Sequence, residues 1–111
     1  MKYLLFSLLL LPLVAFAADA DYALSIKDKR FQPDELIITA GQKAKLVIRN
    51  QDGMPAEFES ADLSREVIVP GHGEIVIFVG PLEPGTYRFF NDFNHDMKGS
   101  IVVKPPVNKE H

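Results

Sequence analysis

Apolar and polar residues alternate in short segments along most of the chain. Between Lys43 and Arg49, for example, Ala44, Leu46 and Ile48 fall on one face, and charged side chains with Val47 fall on the other. A period of two is typical of a strand that is buried on one face. Glycine and proline interrupt such segments about every 8 to 12 residues, and no helical period is found. The pattern therefore predicts an all-β sandwich or barrel.

Eight strands are predicted from this alternation. They are Tyr22–Lys27, Glu35–Ala40, Lys43–Asn50, Ala56–Ser60, Arg65–Val69, Glu74–Val79, Gly85–Asn91 and Ser100–Lys104. The short link Ala40-Gly41-Gln42 predicts a tight hairpin between the second and third strands. The sixth and seventh strands carry apolar residues on both faces, which predicts central positions for them.

The N-terminal segment has the features of a secretory signal peptide. Lys2 supplies a positive charge, an apolar run extends from Leu4 to Phe16, and small residues follow at Ala15-Phe16-Ala17. The alternative is a membrane anchor, but the run is about 13 residues long and a bilayer requires roughly 20. We therefore expect cleavage after Ala17, release into the periplasm, and no membrane-spanning segment in the mature protein.

The rest of the chain is predicted to form one small domain, residues 18–104, followed by a loose tail, residues 105–111. Loss of Lys2 changes the formal net charge from −3 to −4 at pH 7, which argues against nucleic acid as a partner. The chain contains no cysteine, which excludes thiol nucleophiles, disulfides and thiolate metal ligands. No Gly-x-Ser-x-Gly elbow or glycine-rich phosphate loop is present, so a bound metal is the remaining chemistry.

Three connections between the predicted strands are expected to meet at one end of the sandwich. If each connection reverses the chain direction, residues 50–56, 70–73 and 91–98 share that end. Met54, His72, His95 and Met97 lie in these connections. Thioether and imidazole groups suit copper, and His95 and Met97, two residues apart, can both turn toward one ion. The alternatives are that the methionines cap the core and that His72 is a solvated turn residue.

Carboxylates are also predicted at or just below this end. They are Glu57, Glu59, Glu66, Asp92 and Asp96. Carboxylate oxygens are hard ligands that suit iron or Cu(II). Taken singly, each is a weak indicator, because exposed acidic residues are common on strands.

From Phe31 to Lys104 the chain resembles the cupredoxins. The resemblance rests on Phe31-Gln32-Pro33, on the strand ending at Asn50, and on Tyr87-Arg88-Phe89-Phe90-Asn91 followed by Met97-Lys98-Gly99-Ser100. It implies a cupredoxin-like Greek-key β-sandwich. Where blue-copper members carry a histidine and a cysteine, this chain has Ala56 and Asn91, and only Met97 matches a copper ligand. A blue-copper centre is therefore not expected.

Three runs resemble a divergent, cysteine-less cupredoxin subgroup associated with bacterial periplasmic ferrous-iron uptake beside an iron permease. They are Pro55-Ala56-Glu57-Phe58-Glu59-Ser60, Leu63-Ser64-Arg65-Glu66 and Gly80-Pro81-Leu82-Glu83-Pro84-Gly85-Thr86-Tyr87. The histidine of that subgroup would fall on Asn94, whereas this chain has His95.

The resemblance implies a metal site in which acidic residues are completed by a histidine and a methionine. Its members are Glu57, Glu59, Glu66, Asp92, His95 and Met97, and Met54 is added from its place in the first connection. We expect Glu57 and Glu59 to reach one ion only if a β-bulge interrupts their strand.

The leading hypothesis is a periplasmic metal-binding protein that assists the oxidation or handover of ferrous iron. Copper would be the cofactor, and iron the substrate or a second metal. An iron permease or a periplasmic redox partner would receive the iron or the electron, so an enzymatic role is left open. The alternatives are a copper carrier without a redox step, which uses Met54, Met97 and His95, and an interaction module whose metal site has decayed.

Overall fold

A computed structural model describes residues 20–107, apart from the side chain of Ala20. The predicted signal peptide, residues 1–17, and the end of the predicted tail, residues 108–111, lie outside this part. The described residues form nine strands. These are β1 (Ala20–Lys27), β2 (Arg30–Gln32), β3 (Glu35–Thr39), β4 (Ala44–Asn50), β5 (Ala56–Ser60), β6 (Arg65–Val69), β7 (Glu74–Val79), β8 (Gly85–Asn91) and β9 (Asn94–Lys104). Within residues 20–107, no helix is long and apolar enough to cross a membrane.

The strands form two sheets that pack face to face. The four-stranded sheet has the order β2-β1-β4-β7, and the five-stranded sheet has the order β3-β9-β8-β5-β6. The pairs β1–β4 and β3–β9 are parallel, and the other pairs are antiparallel. The predicted all-β, cupredoxin-like sandwich is confirmed.

The core lies between the inner faces of the two sheets. Three phenylalanines fill its centre: Phe31 from β2 contacts Phe89 from β8 at a ring-centroid distance of 4.9 Å, and Phe89 is also 4.9 Å from Phe58 of β5. All three are at most 3% exposed. Because Phe31 belongs to the four-stranded sheet and its two partners to the other, this cluster joins the sheets near the end that carries the candidate site.

The predicted hairpin at Ala40-Gly41-Gln42 is wrong. β3 and β4 belong to different sheets, and the link crosses between them, with the Gly41 N–H donating to the Leu82 carbonyl at 3.1 Å. Both strands bury alternate residues, so the local pattern is the same for a hairpin and for a crossover. Pairing with distant strands, β9 for β3 and β1 and β7 for β4, decides between the two.

Two other expectations about the strands differ from the structure. β7 was predicted to be central but is an edge strand, and Val76 and Phe78 on its outer face are each 44% exposed. β9 begins at Asn94 rather than Ser100, because a two-residue turn at Asp92 and Phe93 joins it directly to β8. The short strand β2 was not predicted, since three residues are too few to show a period.

The three connections predicted to share one end of the sandwich do meet there. The His72 N–H donates to the Asp52 carbonyl at 2.9 Å, which joins the connection 70–73 to the connection 50–56. The Asp92 N–H donates to the Glu57 carbonyl at 2.9 Å, which joins the β8–β9 turn to the start of β5. We call this end of the molecule the loop pole. It is where the candidate chemistry is placed.

Candidate metal centre

Glu57 and Glu59 lie on the outer face of the five-stranded sheet. Ala56, Phe58 and Ser60 of β5 are buried, so the two glutamates between them point outward on the same side. β5 pairs with β6 without a shift in register, so the bulge expected in this strand is absent and is not needed. Across the sheet, Glu66 of β6 stands directly opposite Glu59, so the two acidic side chains are neighbours on this face.

Asp92 completes a group of three carboxylates. It occupies the first position of the β8–β9 turn, where its N–H donates to the Glu57 carbonyl at 2.9 Å. One oxygen from each of Glu57, Glu59 and Asp92 lies within 4.8 Å of the others. Two oxygens bound to one ion at about 2.0 to 2.6 Å are at most about 4 to 5 Å apart, so small side-chain movements would place all three on one ion.

His95 lies beside Asp92, one member of this group, because of a bulge in β9. Asn91 pairs with Asn94, but Phe90 pairs with Lys98, so residues 95–97 have no partners on β8. The bulge turns His95 outward, where its Nε2 lies 2.9 Å from Asp92 Oδ1. The ring of Phe90 packs edge-to-face on the imidazole at a centroid distance of 5.3 Å. We call Glu57, Glu59, Glu66, Asp92 and His95 the outer-face cluster.

The acid groups of the cluster perturb one another. Partial burial, together with hydrogen bonds to Asp92 and to Glu66 respectively, raises the pKa of Glu57 and that of Glu59. Hydrogen bonds from His95 and from Glu57 lower the pKa of Asp92. Carboxylates that lie close together without a cation repel one another, which costs free energy. A bound metal ion would remove this repulsion.

The same bulge turns Met97 into the core, away from His95. Met97 is 5% exposed, and its Sδ accepts a hydrogen bond from Asn91 Nδ2 at 3.3 Å. From their spacing in the sequence, we expected His95 and Met97 to reach one ion. The structure does not bring them together. Strand alternation alone would keep residues i and i+2 on the same face, and the bulge overrides it.

Met54 lies at the loop pole on the side of Met97. It is 73% exposed, and both thioethers line a cavity of about 550 Å³. Of the seven predicted metal ligands, the structure thus places five on the outer face and two, Met54 and Met97, beside this open cavity at the loop pole. His72 is exposed on the adjacent turn, outside the outer-face cluster.

The interior of the loop pole does not fit a blue-copper ion. At the position where the resemblance predicts a thiolate, Asn91 Oδ1 accepts hydrogen bonds from the N–H groups of Glu57 at 2.8 Å and Phe93 at 3.0 Å. Ala56, at the expected histidine position, is buried and has no donor atom. Met97 alone remains of the expected ligands, and its sulfur is already engaged by Asn91.

Two buried asparagines are the residues that the sequence analysis missed. Asn50 and Asn91 are 1% and 4% exposed, and each ties one connection of the loop pole to its neighbours. Asn50 Nδ2 donates to the Met54 carbonyl at 2.7 Å, and Asn50 Oδ1 accepts from the Asp52 N–H at 2.9 Å. Asn50 ends β4 and Asn91 ends β8, and the preceding inward-facing residues of both strands are apolar. This pattern in the sequence could have indicated a buried, hydrogen-bonded side chain at each strand end.

Comparison with known proteins agrees with this architecture. The family model of the cupredoxin-like domain matches residues 2–103. An uncharacterised protein of Rickettsia prowazekii (strain Madrid E) is 43% identical over 81 residues, which are 72% of this chain and 65% of that protein. The chain therefore spans less than two thirds of the length of this curated relative.

Solved structures show the same fold at low sequence identity. Amicyanin from Paracoccus versutus superimposes with a TM-score of 0.61 at 20% identity, covering 78% of this chain and 83% of amicyanin. The metal-binding domain of the Cu(I)-exporting P-type ATPase CopA of Streptococcus pneumoniae D39, solved with Cu(I), gives a TM-score of 0.64 at 19% identity. That match covers 76% of this chain and 84% of the domain. Because the family model matches nearly the whole chain and both structures share the fold, this protein belongs to the cupredoxin-like domain family.

Proposed function

We propose that this protein is an exported metal-binding protein that holds ferrous iron at the outer-face cluster and assists its oxidation or handover during iron uptake. The observation that carries the proposal is the convergence of carboxylate oxygens from Glu57, Glu59 and Asp92 within 4.8 Å, with the His95 imidazole 2.9 Å from Asp92. Three elements of the sheet, β5, β9 and the β8–β9 turn, supply these groups.

The donor types favour iron over softer ions. Imidazole suits Fe(II), and carboxylates suit harder ions such as Fe(III). A site rich in carboxylates stabilises the ferric form more than the ferrous form, so it favours transfer of one electron from Fe(II) to an acceptor. A periplasmic redox partner would be that acceptor, and an iron permease would receive the ion. The cluster is half-buried to exposed, which leaves it open to such partners.

The proposal uses no blue-copper step, because the interior of the loop pole lacks the ligands for one. Copper is a candidate only in two other forms. Cu(II) shares the preference of iron for imidazole and carboxylate, so it would compete for the outer-face cluster. Cu(I) prefers thioethers and would bind in the open cavity that Met54 and Met97 line.

The second candidate function is a copper carrier without a redox step. The observation in its favour is that Met54 and Met97 line the same cavity at the loop pole. The carrier hypothesis also requires His95, but His95 lies on the other side of the sheet from the two methionines. Two thioethers therefore remain for Cu(I), fewer than the hypothesis required.

Anaerobic titration with Fe(II), followed by calorimetry, tests the proposal. The wild-type protein is expected to bind one ion, and the double variant Glu57→Gln, Glu59→Gln is expected to lose binding. The double variant Glu35→Gln, Glu83→Gln is the matched control, since it removes two exposed carboxylates outside the cluster. If the wild type does not bind Fe(II), or if both double variants bind it equally well, the proposal is wrong.

Competition with a Cu(I) chelator distinguishes the carrier. Tight Cu(I) binding that is lost in Met97→Leu, without any Fe(II) affinity in the wild type, would establish the carrier and overturn the iron proposal. Oxidation is tested separately, by adding a one-electron acceptor to the Fe(II)-loaded protein. Faster ferric formation than in the Glu57→Gln, Glu59→Gln variant is expected.

A further inference from the structure

Asn91 has an unusual set of partners for a buried side chain. Its Oδ1 accepts the Glu57 N–H at 2.8 Å and the Phe93 N–H at 3.0 Å, and its Nδ2 donates to Met97 Sδ at 3.3 Å. The side chain is 4% exposed, so these bonds form away from bulk water. A single amide thus connects β5, the β8–β9 turn and β9 from inside the sandwich.

The two main-chain groups held by Asn91 Oδ1 flank the carboxylates of the outer-face cluster. Glu57 is itself a member of the cluster, and Asp92 lies between Asn91 and Phe93 in the chain. The Asp92 N–H donates to the Glu57 carbonyl at 2.9 Å, which closes the same ring of contacts. The Asn91 side chain therefore helps to fix the relative position of the Glu57 and Asp92 backbones, together with this bond and the pairing of β5 with β8.

We infer that Asn91 is a positioning residue for the metal site on the outer face. It stands where the family resemblance predicts the thiolate ligand, but it holds the connections together by hydrogen bonds instead of by a metal ion. The inner side of the sheet then acts as a support, and the carboxylates that it orients bind metal on the outer side. This inference rests on the proposed function of the outer-face cluster.

Asn50 is a second buried asparagine, and it provides the comparison that separates a positioning role from a purely structural one. It is 1% exposed, and it also bonds three main-chain groups, those of Asp52 at 2.9 Å, Met54 at 2.7 Å and Val69 at 3.4 Å. None of these three residues belongs to the outer-face cluster. Replacement of Asn50 and of Asn91 should therefore destabilise the fold to a similar extent but differ in their effect on metal affinity.

The test measures Mn(II) affinity, by calorimetry and by the electron paramagnetic resonance signal of the free ion, alongside thermal unfolding. Loss of a group that orients a ligand lowers metal affinity about 10- to 100-fold, and this is expected for Asn91→Ala. Asn50→Ala is expected to lower the melting temperature comparably and to keep the wild-type affinity at temperatures where both variants are folded.

A conservative variant separates positioning from stability. Asn91→Asp keeps an acceptor oxygen for the Glu57 and Phe93 N–H groups, but it buries a charge beside other carboxylates. We expect Asn91→Asp to melt lower than the wild type and to keep its Mn(II) affinity. It also serves as the test if Asn91→Ala does not fold.

Three outcomes would overturn the inference. Wild-type affinity in Asn91→Ala, an equal loss in Asn50→Ala, or a loss in Asn91→Asp equal to that in Asn91→Ala would each reduce Asn91 to a structural role while leaving the proposed function intact. If the wild-type protein binds neither Mn(II) nor Fe(II), the proposed function is wrong and the role of Asn91 falls with it.

Discussion

Glu57 and Glu59 are held in the folded protein under conditions that favour their protonated forms. Partial burial is the main cause, and the neighbouring acids Glu66 and Asp92 add to it. The pKa of each is therefore raised above the ordinary value of 4.5. Carboxylates crowded in this way are unfavourable on an ordinary solvated surface. A metal site, in contrast, requires several carboxylates close together.

Although Asp92, whose pKa is lowered, contributes in the opposite sense, the contribution of Glu57 and Glu59 to the stability of the metal-free protein should decrease as the pH rises through their folded-state pKa values. Because the folded form binds their protons more tightly than the unfolded form, their favourable contribution is complete below the ordinary value of 4.5 and is lost above the raised pKa. We expect Glu57→Gln and Glu59→Gln, measured without metal, to melt higher than the wild type near neutral pH and to flatten this pH dependence.

Thermal unfolding across the acidic to neutral range, with chelator present, measures this effect. Glu35→Gln removes the same charge from an exposed position on β3 and provides the control. A lower melting temperature for both cluster variants at neutral pH would contradict the prediction. Higher stability combined with lost metal binding would mark these residues as functional rather than structural.

Glycines allow two connections of the loop pole to touch through their backbones. A Cβ at Gly71 would overlap the carbonyl oxygen of Gly53, so the connections 50–56 and 70–73 can pack together only if residue 71 has no side chain. The contact is reinforced by the hydrogen bond from the His72 N–H to Asp52. The connection that follows β6 is thereby held against the connection that precedes β5.

Gly71→Ala is expected to destabilise the protein by about 2 to 3 kcal/mol, because the backbone of Gly53 cannot move aside as a flexible side chain would. Gly41→Ala is the control. Gly41 has open space around its Cβ position but a positive φ of 79°, so only the conformational cost of about 1 kcal/mol applies. Urea unfolding of the two variants provides the comparison, and an equal loss in both would contradict the steric argument.

The bulge in β9 is the element that separates the two sets of metal donors. Residues 95–97 have no partners on β8, and within these three residues the chain turns from the outer face to the core. The His95 imidazole and the carboxylates therefore lie on the outer face of the sheet, while the two thioethers line the open cavity at the loop pole. If the proposed metal sites are used, hard and soft ions would bind at different surfaces of the domain.

Both described ends of the domain lie away from the loop pole. β4 ends at the pole, and β1 runs parallel to it, so Ala20 begins at the opposite end. β9 starts at the pole and ends at Lys104 beside Thr39, also at the opposite end. Within the described residues, Ala20 and Lys104 thus lie at the end of the sandwich opposite the loop pole.

Metal binding should stabilise the whole domain, because an ion that binds only the folded state shifts the unfolding equilibrium. At a free metal concentration of about 100 times Kd the gain is about 2.7 kcal/mol, which raises the melting temperature of a small domain on the order of 10 °C. Differential scanning calorimetry with Fe(II) under argon provides the measurement. An unchanged melting temperature in the wild type would support the decayed-site alternative.

Export is a separate prediction. Residues 1–17 are expected to be removed when the protein is exported from a bacterial cell, because they combine a positive start, a short apolar run and small residues at the cleavage point. The mass of the protein recovered from the periplasmic fraction should correspond to a chain beginning at Ala18. A cell-associated protein of full-length mass would contradict this and favour a membrane anchor.

The alternation of residues was enough to predict most strands and their buried faces, since a half-buried strand imposes a period of two locally. β4, β5 and β8 were placed nearly residue for residue. Sheet membership was not predictable in the same way. The link between β3 and β4 looks like a hairpin locally, and only hydrogen bonding to distant strands makes it a crossover.

For the candidate site, the sequence by itself determined the donor inventory and the exclusion of a thiolate centre, because residue types are independent of the fold. It also predicted which connections share the loop pole. The tertiary structure alone decided which donors meet. An unpaired three-residue bulge sends His95 outward and Met97 inward, and the buried amide of Asn91 occupies the interior. Such packing depends on contacts between distant segments, which no local pattern encodes.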